Sequence, residues 1–207
     1  MPARAARSRI CRKYDGRGTG YLNALSSIRH ARDADIGTIA GIYAHHVRTG
    51  TASFEEVPPS TEEMLRRFRA VQEAGLPFLV AEAGGEVAGY AYAGNYHTRS
   101  AYRYALEDSV YIAPERQRLG LGRRLVGALI RLVTAQGYRQ MLALIGDSAN
   151  TASIGLHRCL GFRHIGCQSA VGLKFGRWLD VVQMQLPLGP GEGDIPIAPP
   201  GNRNYEA

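Results

Sequence analysis

The sequence predicts a mixed α/β domain with a mostly antiparallel central sheet and helices on both faces. Three observations lead to this fold class. The strand-like segments PFLVAEA, from Pro77, and EVAGYAYAG, from Glu86, flank Gly84-Gly85, a pattern typical of a β-hairpin. Leucines spaced every three or four residues predict a long helix from about Gly120 to Gln136. MLALIG, from Met141, predicts a buried strand, and hairpins followed by strand–helix–strand units are typical of a mixed sheet.

The other elements follow in chain order. A short strand over 28–31 precedes a helix that Asp33 could cap, and Ser60 to Glu63 match a capping box ahead of a second helix. Leu106 to Ile112 predict a strand, which Pro114 ends because proline cannot donate a ladder hydrogen bond. The remaining pattern predicts a short helix over 151–160 and two final strands near 162–169 and 178–186.

The charge is unevenly spread along the 207 residues, whose formal net charge is +7. Residues 1–27 hold six basic residues and one acidic residue, and residues 28–187 hold 18 basic and 14 acidic residues. Residues 188–207 hold one basic and three acidic residues among many prolines and glycines. We therefore expect a basic, disordered extension over 1–27, one folded domain over 28–187 and a Pro/Gly-rich tail over 188–207.

The composition excludes several classes of protein. No apolar run reaches the roughly 20 residues of a transmembrane helix, so we expect no membrane partner. Cys11, Cys159 and Cys167 lack the CxxC spacing of a structural zinc site, and His45 and His46 point about 100° apart on a helix, so they cannot chelate one ion side by side. We expect no metal site and a reducing, cytoplasmic location.

The most specific segment is Ser109 to Arg123, where a strand ends, a glycine-bearing turn follows and a long helix begins. The first turn of a helix has unpaired N–H groups and the positive end of the helix dipole, so it binds phosphate oxygens. Gly120 and Gly122 allow a pyrophosphate close to the backbone, while Arg118 and Arg123 add charge. The turn matches neither GxGxxG nor a P-loop, and a βα turn with a solvated arginine face is the alternative.

Two segments in this region resemble a known family. Gln117-x-x-Gly120-x-Gly122 is similar to the Q/R-x-x-G-x-G/A acetyl-CoA motif of the GNAT N-acetyltransferases, and Asn150 to Phe162 resemble the family's Asn-led helix and closing Gly-Phe. The two segments stand in the family's order. The resemblance implies the GNAT fold, in which one pair of strands splays apart, and it implies acetyl-CoA as co-substrate.

Further segments narrow the resemblance to one subfamily. Arg48 to Glu55, Glu107 to Ile112 and Gly176 to Val181 are similar to segments of phosphinothricin and methionine sulfoximine N-acetyltransferases. The likeness spans roughly residues 28–187. It implies an acyltransferase that acetylates the amino group of a small amino-acid-like molecule by direct transfer, with a general base and a general acid. It also implies a homodimer.

The chemistry of this reaction needs a neutral amine, and most amines are protonated at pH 7, so a general base helps. Glu107 begins the strand that leads to the glycine turn, and the resemblance implies that it is the base; a salt-bridged strand glutamate is the alternative. The resemblance implies that His157 protonates the departing thiolate, a task that suits an imidazole with a pKa of about 6.5. A helix histidine bonded to backbone is the alternative.

The resemblance also implies which residues bind acetyl-CoA. The strand beside the pantetheine arm corresponds to three residues whose backbone could pair with its amides and polarise the thioester carbonyl, namely Val110, Tyr111 and Ile112. The turn and the following helix start contribute Gln117, Arg118, Leu119, Gly120, Leu121, Gly122 and Arg123. The Asn-led helix contributes Asn150 and Ser153.

The acceptor pocket is drawn from distant segments. Its candidate walls are Phe54, Glu55, Tyr92, Asn95 and His97. Arg99 and Arg103 could meet a substrate carboxylate, because arginine pairs well with carboxylates. For each of these residues a core or solvated surface position is the alternative.

Three other functions remain open. The same chemistry could act on a protein N-terminus or a lysine side chain, or the chain could be a non-catalytic CoA-binding module. The third is a nucleic-acid-binding protein that works through its basic extension. A short arginine-rich arm is more often a solvated tail, so we do not expect nucleic acid as a partner.

Overall fold

The computed structural model describes residues 26–201, and within them seven strands form one sheet in the order β1-β2-β3-β4-β5-β7-β6. The strands are β1 Ser26–His30, β2 Phe78–Ala83, β3 Glu86–Asn95, β4 Ala105–Ile112, β5 Gln140–Gly146, β6 Arg163–Lys174 and β7 Arg177–Pro187. All neighbouring strands of this sheet are antiparallel except β4 and β5, which are parallel. The predicted mixed, mostly antiparallel sheet is confirmed.

Four α-helices cover the sheet in the described part of the chain. They are α1 Ile36–Thr49, α2 Thr61–Glu73, α3 Leu121–Ala135 and α4 Thr151–Cys159. Ser60 is the N-cap of α2, because its Oγ accepts a hydrogen bond of 3.2 Å from the Glu63 N–H, while the Glu63 carboxylate accepts from Arg66 and Arg67. The prediction that Asp33 caps α1 is wrong. Asp33 begins a 3-10 turn, Asp33–Asp35, and α1 starts only at Ile36.

The two faces of the sheet carry separate cores, as alternation along the strands requires. Leu79 points to the face that α3 covers and joins a cluster with Leu125 and Met141. Its neighbour Val80 points to the face that α1 and α2 cover and joins a cluster with Phe68 and Tyr90 among others. The predicted helices on both faces are confirmed.

The parallel strands β4 and β5 separate part-way along their length. They pair only from Ala105 to Glu107, opposite Gln140 to Leu142. Beyond Glu107, β4 continues with β3 as far as Ile112, while β5 continues with β7 as far as Gly146. The splayed strand pair is therefore present, and it opens a gap in the sheet directly after Glu107.

The final hairpin is longer than its sequence pattern predicts. The sequence predicts a strand near 162–169, whereas β6 continues to Lys174. Its pairing with β7 shifts register between Gln168 and Gly172, so a small-residue stretch without apolar alternation still belongs to the strand. A shift of this kind removes the period-two pattern on which the shorter prediction depended.

The two ends of the chain differ in what the structure describes. The basic extension lies outside the described residues as far as position 25, while Ser26 and Ser27 belong to β1. The start of the Pro/Gly-rich tail lies against the domain. Leu188 is buried, and Arg139 forms an ion pair of 2.9 Å with Asp194. Within residues 26–201, no helix has both the length and the apolar character needed to cross a membrane.

Candidate active site

Glu107 lies at the point where β4 and β5 part. It is the last β4 residue that pairs with β5, and its half-buried side chain shares the α1–α2 face with Ser109 and Tyr111. Burial, with a smaller effect of the neighbouring Asp108 charge, raises the pKa of Glu107 to about 7. A carboxyl with this pKa is deprotonated in half of the molecules at neutral pH and can accept a proton.

A set of polar side chains lies on the same face. Tyr43 Oη lies 2.8 Å from Ser53 Oγ and donates to Glu55 Oε1 at 3.0 Å. Arg67 Nη1 also donates to Glu55 Oε1, at 2.6 Å. Tyr92 lies opposite Ser109, and burial raises the pKa of its hydroxyl, with smaller contributions from the Glu107 and Glu55 charges. The structure therefore brings Glu55 and Tyr92 to the same side of the sheet as Glu107.

Phe54 lies at the end of β5, next to the gap. Its ring packs so closely on two glycines that a Cβ at Gly146 would lie 2.5 Å from Cε1, and a Cβ at Gly172 would overlap the ring. Its side chain is nevertheless 38% exposed. Phe54 thus bridges the end of β5 and β6 while one side of its ring stays open to solvent.

The other candidate acceptor residues lie further out. Asn95 has the opposite strand parity to Tyr92, so it points to the α3 face, away from the Glu107 side chain. His97 is exposed, with its ring centroid 4.2 Å from that of Tyr96. Arg99 and Arg103 are also exposed, and Arg103 Nη1 donates to the Ser100 carbonyl at 3.0 Å. The structure does not gather these four residues around Glu107.

The β4 edge beyond Glu107 is free to pair with a ligand. Since pairing with β5 stops there, the backbone groups of 108–112 that face β5 have no strand partner. Val110 and Ile112 pack toward the α3 core, whereas Tyr111 packs against Tyr43, with ring centroids 5.0 Å apart. His46 Nε2 donates to the Ile112 carbonyl at 2.9 Å, which fixes the end of the strand.

The glycine turn at the start of α3 has the geometry of an anion site. Gly120 is the N-cap with φ +77, and no side chain caps the helix, so its first N–H groups are open to a ligand. Gln117, Arg118 and Arg123 are exposed around it, and Leu119 and the buried Leu121 anchor the turn. At Gly122, a Cβ would lie 3.3 Å from Leu156, so this glycine lets α3 approach α4. The turn fits a pyrophosphate.

His157 lies on the opposite face of β4 from the Glu107 side chain. It is 2% exposed, and its Nε2 lies 3.0 Å from Asp108 Oδ2. Its Nδ1 lies 2.8 Å from the Ser153 carbonyl oxygen, so both ring nitrogens face acceptors. Burial alone would lower the pKa of His157, but the hydrogen bond and charge of Asp108 outweigh it and raise the pKa. Both nitrogens are thus engaged, and the Asp108 carboxylate favours the protonated form of the ring.

Asn150 and Ser153 join α4 to the end of β5. Asn150 Oδ1 accepts from the Ser153 N–H at 3.1 Å, and its Nδ2 donates to the Gly146 carbonyl at 3.1 Å. Asn150 therefore caps the N-terminus of α4 and links this helix to β5, the strand that borders the gap. This placement puts both residues beside the β5 side of the opening.

Several residues of this region escape sequence reasoning. Asp108 stands next to Glu107 in the same motif, but only the fold shows that it pairs with His157. Arg67 and Lys174 reach the loop that carries Phe54 and Glu55, from α2 and β6. No local pattern signals a partner so far away in the chain. In the part of the chain that the structure describes, no three His, Cys, Asp or Glu residues are grouped to hold a metal ion.

Comparison with known proteins decides the family. Residues 39–162 match the acetyltransferase (GNAT) family, a span that includes Glu107, the glycine turn and His157. The chain belongs to the GNAT acetyltransferase family.

Relatives of this GNAT chain share most of its length. It is 55% identical to the phosphinothricin N-acetyltransferase of Alcaligenes faecalis over 179 residues, which are 86% of this chain and 91% of the relative. It is 45% identical to the L-methionine sulfoximine/L-methionine sulfone acetyltransferase of Pseudomonas paraeruginosa over 166 residues, 80% of this chain and 96% of the relative.

A solved structure agrees with these relatives. A GNAT superfamily phosphinothricin acetyltransferase from Sinorhizobium meliloti, in complex with acetyl-CoA, has a TM-score of 0.81 and 43% identity. The match covers 87% of this chain and 96% of that chain. The predicted family, the GNAT fold and the N-acetyltransferase class are confirmed. The roles of individual residues stay predictions.

Proposed function

We propose that this GNAT chain acetylates the amino group of a small amino-acid-like acceptor, of the phosphinothricin or methionine sulfoximine type, with acetyl-CoA as co-substrate. The position and the raised pKa of Glu107 are the observation that carries the proposal. It is a half-buried carboxyl with a pKa of about 7, placed where the sheet opens. The relatives that are 55% and 45% identical act on these two kinds of acceptor by name.

The open β4 edge and the glycine turn would hold acetyl-CoA, which supplies the acetyl thioester when bound. The uncapped N–H groups after Gly120 would bind the pyrophosphate, with Arg118 and Arg123 as counter-charges. The backbone of Val110 to Ile112 would pair with the pantetheine arm and offer donors to the thioester carbonyl. Asn150 and Ser153 border the other side of the gap.

Glu107 removes a proton from the acceptor ammonium, directly or through one water, so that the neutral amine can attack. The raised pKa suits this task, because a base is most effective when its pKa lies near the working pH. The acceptor lies on the α1–α2 face, between Glu107 and the wall of Phe54, Glu55 and Tyr92.

The leaving thiolate needs a proton, and His157 is the proposed donor. The hydrogen bond and charge of Asp108 raise the His157 pKa and so favour the protonated ring that this step needs. Transfer of that proton breaks the bond to Asp108 or to Ser153, so the acid step is coupled to a rearrangement of this buried pair. Asp108 therefore takes part in the proposal as the residue that holds the charged ring.

The acceptor carboxylate would meet an arginine at the mouth of the site. Among the residues that the structure describes, none accepts a hydrogen bond from the Arg99 side chain, whereas Arg103 is already bonded to Ser100. We therefore place Arg99 ahead of Arg103 in this role, with His97 at the rim, and leave out Asn95, whose side chain points to the α3 face.

The enzyme would work as a homodimer. Strand β6 is at the edge of the sheet, and β6, β7 and the turn between them expose Ile165, Val171, Leu173, Phe175 and Trp178. An exposed apolar patch on an edge strand favours association with another chain. We also propose a cytoplasmic location, where the thiols of Cys159 and Cys167 stay reduced, and a single acetyltransferase domain over 28–187.

The test is release of CoA, followed with a thiol reagent, on a panel of amines. We expect turnover with L-phosphinothricin or L-methionine sulfoximine and less with a peptide that mimics a protein N-terminus. A peptide that is turned over faster than every small amine would replace the proposed acceptor class. Absence of CoA release with all amines would contradict the enzyme assignment.

A further inference from the structure

Lys174 is the only lysine within residues 26–201, and it is buried. It is the last residue of β6 and only 2% exposed. Its Nζ donates to the Gly50 carbonyl at 2.9 Å and to the Ser53 carbonyl at 2.7 Å. Burial of an ammonium costs free energy unless hydrogen bonds compensate for the lost water, and here the two carbonyls supply those bonds.

The two carbonyls bracket the segment that carries Phe54. Gly50 is the C-cap of α1, so the ammonium lies at the negative end of the helix dipole. We call residues 50–55 the acceptor loop. Burial lowers the pKa of Lys174, while the charges of Glu56 and Glu55 oppose that change. Hydrogen bonds from a charged donor are about twice as strong as neutral ones.

Other contacts hold the same loop from different directions. Gly172 and Gly146 leave room for the Phe54 ring, which a Cβ at either position would displace. On the far side, Tyr43 contacts Ser53 and Arg67 contacts Glu55. Lys174 is thus the bond that joins the acceptor loop to the final hairpin, while α1 and α2 hold its other side.

We propose that Lys174 is a positioning residue for the amine acceptor, because it fixes the acceptor loop and thereby the place of Phe54 and Glu55. This inference rests on the proposed function. The loop contacts given above go to α1, α2, β6 and the end of β5 and not to the glycine turn, so Lys174 acts on the KM for the amine and leaves the KM for acetyl-CoA unchanged.

The experiment compares Lys174→Met with Arg163→Met, which exchanges an exposed cation for methionine at the other end of β6. Loss of two charged hydrogen bonds should raise the amine KM of Lys174→Met at least about fivefold. The KM for acetyl-CoA should stay within about twofold, and Arg163→Met should match the wild type. Equal changes in both KM values, or no change in either, would overturn the inference.

A second variant keeps the test open if Lys174→Met fails to fold. Gly172→Ala leaves Lys174 in place but pushes on the Phe54 ring, so it should give the same selective rise in amine KM. An unchanged amine KM in Gly172→Ala would show that the place of the loop does not matter to the acceptor.

Amide hydrogen exchange separates this inference from the proposed function. Residues 50–55 should exchange faster in Lys174→Met than in the wild type, whether or not the wild type acetylates any amine on the panel. Faster exchange in a protein without turnover would refute the proposed function and leave the loop contact standing. Normal exchange with normal wild-type turnover would refute the role of Lys174 alone.

Discussion

Replacement of Glu107 by glutamine should slow turnover and stabilise the fold at the same time. The pKa of Glu107 is about 7, against an ordinary value of 4.5. At about 1.4 kcal/mol for each tenfold change this amounts to about 3 kcal/mol, which we reduce to about 2 kcal/mol because the group is only half-buried. The charged form is the one that the fold disfavours.

The sign of the pH dependence follows from that cause. The folded pKa is raised, so the contribution of Glu107 to wild-type stability is fully present below about pH 4.5 and is lost as the pH rises through about 7. Glu107→Gln removes this fall. It should therefore melt at a higher temperature than the wild type at pH 8, while the two should differ much less at pH 4.5.

Turnover by Glu107→Gln should fall, although its thermal stability should rise. Loss of a general base costs about a hundredfold or more in turnover. The wild-type rate should fall below about pH 7, as Glu107 becomes protonated, whereas the variant should lack this limb and follow deprotonation of the amine to higher pH. CoA release is measured from pH 6 to 9 and thermal melting from pH 4.5 to 9, with the exposed Glu73→Gln as the matched control. An unchanged pH–rate profile in Glu107→Gln would refute the base role, and an unchanged melting temperature at pH 8 would refute the burial argument.

Three further substitutions test other parts of the site. Asp108→Asn should destabilise the protein by about 3 kcal/mol, because it breaks a buried ion pair. The loss should be larger at pH 6 than at pH 9, since the pair with the raised His157 pKa stabilises the fold only while the ring is charged. Thermal melting at both pH values checks this. Gly120→Ala should cost about 1 kcal/mol for its left-handed backbone and weaken CoA binding by calorimetry, and unaltered binding would argue against the turn as the phosphate site. Trp178→Glu should yield monomers in light scattering if the β6–β7 face joins two copies, and a dimer that persists would place the interface elsewhere.

Local patterns in the sequence predict most of the fold. The hairpin around Gly84-Gly85, the helix cap at Ser60 and the helix behind Gly120 each depend on residues within one or two turns of each other, and all three are present. The capping of α1 could not be predicted correctly, because the Asp35 carboxylate binds Arg29, a residue that precedes the helix by seven positions. The distant partner sets where the helix begins.

The candidate site is less predictable, because its residues meet across the sheet. The sequence predicts Glu107 and the glycine turn from their own neighbourhood and from the family resemblance. It does not predict that Asp108 holds His157, because these two residues are 49 positions apart in the chain. It also does not predict that Lys174 reaches the acceptor loop, because Gly50 is 124 positions away from Lys174. Asn95 and Tyr92 are close together in the chain, but their positions along β3 direct the two side chains to opposite faces of the sheet.

The central claim is that Glu107 removes a proton from a small amino-acid-like amine that then accepts an acetyl group. Mass spectrometry of the products tests it most directly, after the protein has been incubated with acetyl-CoA and L-phosphinothricin or L-methionine sulfoximine. We predict one acetyl group on the α-amine with the wild type and at least about a hundredfold less product with Glu107→Gln at pH 7. No acetylated amine with the wild type, or equal product from both proteins, would contradict the account.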